Sequence, residues 1–148
     1  MPEFKMLRAE ENYEFLKDNP SLPRSWYNWF KFIPLNARQD VYLSLGGELR
    51  YQYEYFKNEN FVDGLADPNG WWLHRYILHS DWHLGNKLRI FGQSQAAFRA
   101  FSVPPPRRID KDELDLHQGF LEYREQLNDH QSLALRLGRQ ELWYGNRR

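Results

Sequence analysis

Residues 41–55, VYLSLGGELRYQYEY, constrain the fold of this chain more than any other stretch. Aliphatic or aromatic side chains occupy every odd-numbered position except Gly47, and most even-numbered positions are polar, charged or glycine. A β-strand directs successive side chains to opposite faces, so this alternation predicts a strand with one apolar and one polar face. Two surroundings suit the apolar face: the core of a soluble sheet, or membrane lipid.

Composition restricts the class of protein further. The 148 residues suffice for one domain with a core, and the balance of 20 basic and 20 acidic residues argues against a nucleic-acid binder. The absence of cysteine excludes disulfides and cysteine-based metal or nucleophilic sites. No apolar run is long enough for a transmembrane helix. A mean hydropathy of −0.83 with 17% aromatic residues suits a membrane β-barrel, because half of each strand faces a polar lumen.

The chain pattern predicts an all-β, antiparallel up-and-down meander of about five strands after an irregular or helical lead-in. We assign residues 1–38 to the lead-in, with a short helix over residues 9–17, and residues 39–148 to a partial β-barrel domain. Long connections (57–70 and 100–113) alternate with short ones (Gly85-Asn86 and 128–131), which is typical of outer-membrane barrels. The predicted strands are residues 41–56, 71–84, 87–99, 114–127 and 132–144.

Aromatic residues are sorted along the predicted strands. They fall towards the strand ends that meet the long connections, as in the girdle at a membrane interface. In the fourth strand the alternation slips near His117 and Gln118, which predicts a bulge. The predicted girdle comprises Tyr51, Tyr53, Tyr55, Trp72, Tyr76, Phe98, Trp143 and Tyr144.

Candidate chemistry outside the arginines is weak. His79, Asp81 and His83 share one strand face, but neighbours at i and i+2 lie about 6–7 Å apart, which disfavours a shared metal ion and favours a polar wall. No spacing singles out a carboxylate pair for glycosidase chemistry, and no phosphate-binding or nucleophile motif is present. We therefore expect no catalytic residue, no metal site and no cofactor.

Arginines on the polar strand faces are more informative. On a lipid-facing surface each would cost about 2–4 kcal/mol at mid-depth, so we place them in a solvated lumen, paired with acidic residues such as Glu48, Glu54, Asp81 and Glu122. An arginine-lined pore favours anions, because guanidinium binds carboxylate bidentately. Two interpretations remain open: an anion-selective pore, or an ion-pair ladder that only keeps the lumen wet.

The segments SLGGELRYQYEYF, NGWWLHRYILHSDWHLGNKLRIFGQ, IDKDELDLHQGFLEYR and LRLGRQELWYG resemble the alginate export family of outer-membrane porins, over about residues 4–148. The resemblance implies that the chain is the N-terminal part of an 18-stranded transmembrane β-barrel with an arginine-rich lumen, which passes alginate or another anionic solute passively. Arg139 would face inwards only if Gly138 starts a bulge. The expected pore-lining residues are Glu48, Arg50, Gln52, Arg75, His79, Asp81, Arg89, Gln93, Glu122, Arg124, Arg136 and Arg139.

This interpretation carries expectations about location and partners. We expect the outer membrane of a Gram-negative bacterium, although no signal peptide is visible in the sequence. The expected partners are an anionic polysaccharide or small anionic solute, outer-membrane lipid and periplasmic export machinery, without nucleic acid. Because about five strands cannot close a barrel, we expect the chain to be a fragment. The alternative function is a soluble carbohydrate-binding β-sheet module.

Overall fold

The computed structural model describes residues 5, 7–18, 27–58, 61, 63–64, 69–103, 105–106, 108 and 111–142. Within them, six strands form one antiparallel meander in the order β1-β2-β3-β4-β5-β6, which confirms the predicted all-β class. The described helices are short: a 3-10 helix over Arg8–Glu10, α1 (Phe15–Asp18) and α2 (Asn28–Lys31). The strands are β1 (Ile33–Pro34), β2 (Val41–Glu54), β3 (Trp71–Leu84), β4 (Leu88–Ala100), β5 (Lys111–Asn128) and β6 (Gln131–Arg139).

The sequence pattern missed strand β1, which brings the number of described strands to six. Ile33 pairs with Leu43 and Pro34 with Tyr42, so two lead-in residues join the sheet at its edge. Proline cannot donate a ladder hydrogen bond and is tolerated at such an edge. The helix predicted over residues 9–17 is replaced by the 3-10 helix and α1. The division of the chain into a lead-in and a barrel domain remains a prediction.

Strand β5 and its hairpin partner β6 explain the ambiguous alternation near His117. Leu114 and Leu116 are exposed at even-numbered positions, whereas Leu121 and Tyr123 are exposed at odd-numbered ones. The side that carries exposed apolar residues therefore changes between residues 116 and 121. The β5–β6 register is continuous from Gly119↔Arg139 to Gln126↔Ser132, with a shift beside the turn. Strand β6 ends at Arg139, earlier than predicted, and Trp143 and Tyr144 lie outside the described residues.

Residue contacts divide the chain into two compact units. The first unit comprises Met1–Gly46, His79–Gln93 and Leu116–Arg148, and the second comprises Gly47–Leu78 and Ser94–Asp115. In the first unit a small apolar cluster of Ala9, Phe91 and Phe120 joins the lead-in to β4 and β5. No helix in the described part of the chain is long and apolar enough to cross a membrane.

Candidate functional site

The polar face of the first unit is built around Arg89 in β4. Its Nε donates to Asp81 Oδ1 at 2.7 Å and its Nη2 to Asp81 Oδ2 at 2.8 Å, which is the bidentate geometry that guanidinium and carboxylate favour. Only 11% of the Arg89 side chain and 6% of the Asp81 side chain are exposed. His83 Nε2 lies 3.1 Å from Asp81 Oδ2 as well. The Asp81 carboxylate therefore contacts side chains of two adjacent strands, His83 on β3 and Arg89 on β4.

A second carboxylate on the same unit holds two arginines. Glu122 Oε1 accepts from Arg124 Nη2 at 2.9 Å, and Glu122 Oε2 accepts from Arg136 Nε at 2.9 Å. Register explains the arrangement, because Glu122 and Arg136 are directly opposite in the β5–β6 ladder. The Arg136 guanidinium also lies 4.4 Å from the centre of the Phe120 ring. We call Arg89, Arg124 and Arg136, together with Asp81 and Glu122, the arginine patch: three guanidinium groups share two carboxylates.

His79 and Gln93 are two further predicted lining residues of the first unit. Both are buried, and the His79 ring stacks on Phe91 with centroids 5.9 Å apart. His79 Nδ1 and Gln93 Oε1 have no hydrogen-bond partner within the described structure. Among the residues that the structure describes, no group of three or more histidine, aspartate or glutamate residues is placed to hold a metal ion. His79 therefore packs as a buried ring, apart from the Asp81–His83 contact.

In the second unit, the predicted lining residues form looser contacts. Arg75 Nη2 lies 2.5 Å from Glu48 Oε1, with 39% and 36% of the two side chains exposed. On β2, Arg50 Nη2 donates to Gln52 Oε1 at 2.6 Å, and Gln52 Nε2 donates to Glu54 Oε1 at 2.7 Å. This second polar face therefore carries one partly exposed ion pair and a row of hydrogen-bonded side chains along β2.

Arg139 is predicted to face inwards only if a bulge starts at Gly138. Gly138 does have a positive φ of 134°, a backbone conformation that favours glycine. However, the ladder pairs Gly138 with Phe120 and Arg139 with Gly119 without a shift at these positions. The inward placement of Arg139 stays a prediction.

The apolar faces of β2 to β5 carry many exposed side chains, and β6 is exposed on both faces. In the second unit, Leu49 and Leu78 are 65% and 62% exposed. The aromatic rings cluster there in two sets of contacts: Tyr51 lies 5.9 Å from Tyr76 and Tyr76 lies 5.7 Å from Phe98, and separately Tyr53 lies 5.5 Å from Trp72, between ring centroids. We call this cluster the aromatic belt. Sequence reasoning did not assign His74 to it, although His74 stacks on Phe98 at 4.8 Å.

Sequence reasoning also missed how the lead-in reaches the polar face of the first unit. Arg89 Nη2 donates to the Ala9 carbonyl oxygen at 2.7 Å, and Glu11, Tyr13 and Lys31 are buried. One signal was available in the sequence: Gly46 interrupts the side-chain row of the polar face, and a Cβ there would overlap the Lys31 ammonium and the His79 ring. A glycine at such a position indicates the close approach of another segment.

The family model described as alginate export matches residues 41–148. The chain belongs to the alginate export family. No curated protein and no solved structure matches it. Membership confirms the resemblance that the strand motifs carry. The alginate export family consists of porin-type transporters of the outer membrane rather than enzymes. The family also implies an anionic polysaccharide as the substrate class.

Proposed function

We propose that this alginate export family protein forms a channel in the outer membrane of a Gram-negative bacterium, through which alginate or another anionic solute passes passively. The observation that carries the proposal is the inverted exposure of its strands. Leu49 and Leu78 project into the surroundings, whereas Asp81 and Glu122 are buried. A soluble sheet buries its apolar face, whereas a barrel in lipid exposes that face and keeps charges inside.

Selectivity for anions follows from the composition of the arginine patch. Arg124 and Arg136 both bind Glu122, so the three guanidinium groups outnumber the two carboxylates by one. A guanidinium has five N–H donors and can add a uronate carboxylate to an existing ion pair. The residues that we propose as the lining of the path are the twelve expected from the sequence: Glu48, Arg50, Gln52, Arg75, His79, Asp81, Arg89, Gln93, Glu122, Arg124, Arg136 and Arg139.

The exposed faces serve as the contact with lipid in this proposal. Tyr51, Tyr53 and Trp72 are amphipathic rings that suit the interface between acyl chains and water. Their clustering in the second unit supports a girdle at one membrane surface. Periplasmic export machinery is the further partner that we propose, since a polysaccharide must be delivered to the channel.

Planar-bilayer recording of the full-length protein tests the proposed function. We expect a reversal potential in a KCl gradient that indicates a preference for chloride, and current block by oligouronates but not by neutral oligosaccharides of equal length. Arg124→Gln is the informative variant, because Glu122 keeps Arg136 as its partner. We expect it to weaken both anion preference and block.

Lys57→Gln is the matched control, since it removes one positive charge from an exposed position after β2. It should leave block unchanged. If Lys57→Gln and Arg124→Gln change anion preference and block equally, the arginines form only an ion-pair ladder that keeps the lumen wet. Tight oligouronate binding by a monomer in detergent-free buffer would instead favour the alternative, a soluble carbohydrate-binding module.

A further inference from the structure

Part of the lead-in lies on the same polar face that we propose as the lining of the channel. Ala9 is buried against Phe91 and Phe120, and its carbonyl oxygen accepts the hydrogen bond from Arg89. Phe32, which follows α2, meets the Tyr42 ring at 4.7 Å between centroids, and Tyr42 stacks on His83 at 4.2 Å. All these contacts are within the first unit. In a barrel, a segment on this face occupies lumen space.

The lead-in is organised by its own buried carboxylate. Glu11 accepts hydrogen bonds from Arg8 Nη1 and from the Tyr13 hydroxyl, both at 2.8 Å, and Lys31 Nζ lies 3.7 Å from it. The Lys31 ammonium also lies 4.8 Å from the centre of the Tyr13 ring. Burial lowers the pKa of Lys31, with Glu11 opposing that shift, and burial raises the pKa of Tyr13. We call Arg8, Glu11, Tyr13 and Lys31 the lead-in hub.

Gly46 provides the seat for this hub. A Cβ at residue 46 would overlap Lys31 Nζ and the His79 imidazole, so only glycine leaves room for both. The atoms in conflict are the ends of flexible side chains rather than backbone. A side chain at this position would therefore displace the Lys31 ammonium, the His79 ring or both, while the backbone of the strand keeps its path.

The ion pairs named for the lead-in and for Arg89 each lie on one side of the contact between the lead-in and the strands. The Arg8–Glu11 and Lys31–Glu11 pairs join lead-in residues to each other, and the Arg89–Asp81 pair joins strand residues to each other. Separation therefore leaves these pairs intact on both sides. A cavity of about 400 Å³ lies along the seam between the lead-in and the strands, with Asn12 on one side and Asn86 and Lys87 on the other. A polar seam with this much space is not close-packed, and water can enter it.

From these contacts we infer that residues 7–18 and α2 form an internal plug, seated on the arginine patch at rest and displaced by the anionic chain that passes. The carboxylate of a uronate residue replaces the Ala9 carbonyl as an acceptor of Arg89, and a charged acceptor makes the stronger hydrogen bond. This inference rests on the proposed channel function and adds a regulatory element to the same path.

Single-channel conductance of the full-length protein tests the plug. Gly46→Ala should unseat the hub and raise conductance by about twofold or more, as expected when a segment leaves a channel-sized lumen. Gly92→Ala is the matched control on β4, because its Cβ would lie 3.8 Å from Ser80 Oγ, an ordinary contact. It should leave conductance unchanged. Glu11→Ala, which removes the acceptor of the hub without altering a strand, should raise conductance in the same direction.

A reversible crosslink tests displacement directly. The chain has no cysteine, so Asn12→Cys and Asn86→Cys together create the two thiols, at exposed positions that line the same cavity. A reducible bifunctional thiol reagent should then lower oligouronate flux through vesicles, and reduction should restore it. Each single-cysteine variant serves as the control for labelling alone.

The outcomes separate the plug from the channel. If the parent protein is anion-selective while the hub variants and the crosslink leave conductance and flux unchanged, the plug is wrong and the channel function stands. If the parent protein shows neither conductance nor oligouronate block, the channel function itself fails.

Discussion

The two units of the chain place the same chemical pair in different surroundings. Arg89 and Asp81 in the first unit have 11% and 6% of their side chains exposed, whereas Arg75 and Glu48 in the second have 39% and 36% exposed. The difference arises because lead-in residues lie over the first pair, and Ala9 contacts Arg89 directly. A desolvated pair is costly to break, and a solvated pair contributes little. The Arg89–Asp81 pair thus serves structure, whereas the Arg75–Glu48 pair offers accessible charges.

The largest effect is expected for Asp81→Ala in the first unit. The substitution leaves Arg89 as a poorly solvated cation without its bidentate partner, and we expect a loss of about 3–5 kcal/mol in the free energy of unfolding. Urea titration of the full-length protein in lipid vesicles, followed by tryptophan fluorescence, measures the change. Asp81→Asn keeps the shape and some hydrogen bonds and should lose less. Equal losses for Asp81→Ala and Glu48→Ala would remove the distinction between the units.

Leu78→Arg examines the exposed face of the second unit. Leu78 lies near the middle of β3, and an arginine in contact with acyl chains there should cost about 2–4 kcal/mol of folding free energy in a bilayer. On a soluble protein the same change at an exposed site should stay within about 0.5 kcal/mol. Gln52→Arg, on the polar face of β2, is the control and should be tolerated. The same urea titration in vesicles shows whether Leu78 contacts acyl chains or water.

A smaller effect is expected from the aromatic belt. The Tyr53 ring contacts Trp72 and its hydroxyl donates to the Asn69 carbonyl at 2.9 Å. Tyr53→Ala should lower the free energy of unfolding by about 0.5–1.5 kcal/mol more than the loss of buried apolar area accounts for, because aromatic pairs contribute this much. Tyr53→Phe keeps the ring and removes only the hydrogen bond. If both variants lose equally, the hydroxyl rather than the ring stabilises the belt.

Glu48→Gln should have the smallest effect on stability. Its partner Arg75 is partly solvated, so we expect a loss of about 0–1 kcal/mol. The ion selectivity of the channel should change more than its stability does, because removing the Glu48 carboxylate leaves Arg75 available to anions. We expect a larger chloride preference in the reversal potential. A large loss of stability with unchanged selectivity would assign the open pair to structure.

Much of the fold followed from local alternation. The bounds of β3 were predicted to the residue, and those of β2 and β4 differ by one or two residues, because period-two patterning is a local property of the chain. The apolar and polar faces were predicted for the same reason. The ion pairs Arg75–Glu48, Arg89–Asp81 and Arg136–Glu122 join residues whose presence on polar faces was also readable. Their partner choice depended on the strand register.

Only the tertiary structure decided what covers those faces. Nothing local to MLRAEENYEF indicates that Ala9 becomes buried, because its burial arises from contact with Phe91, Phe120 and Arg89, the last of which lies 80 residues away along the chain. The two-residue strand β1 likewise exists only because β2 offers it a partner. Sequence determined which side chains share a face, since strand geometry is local. The three-dimensional packing determined which polar face is covered, since that requires contacts between distant segments.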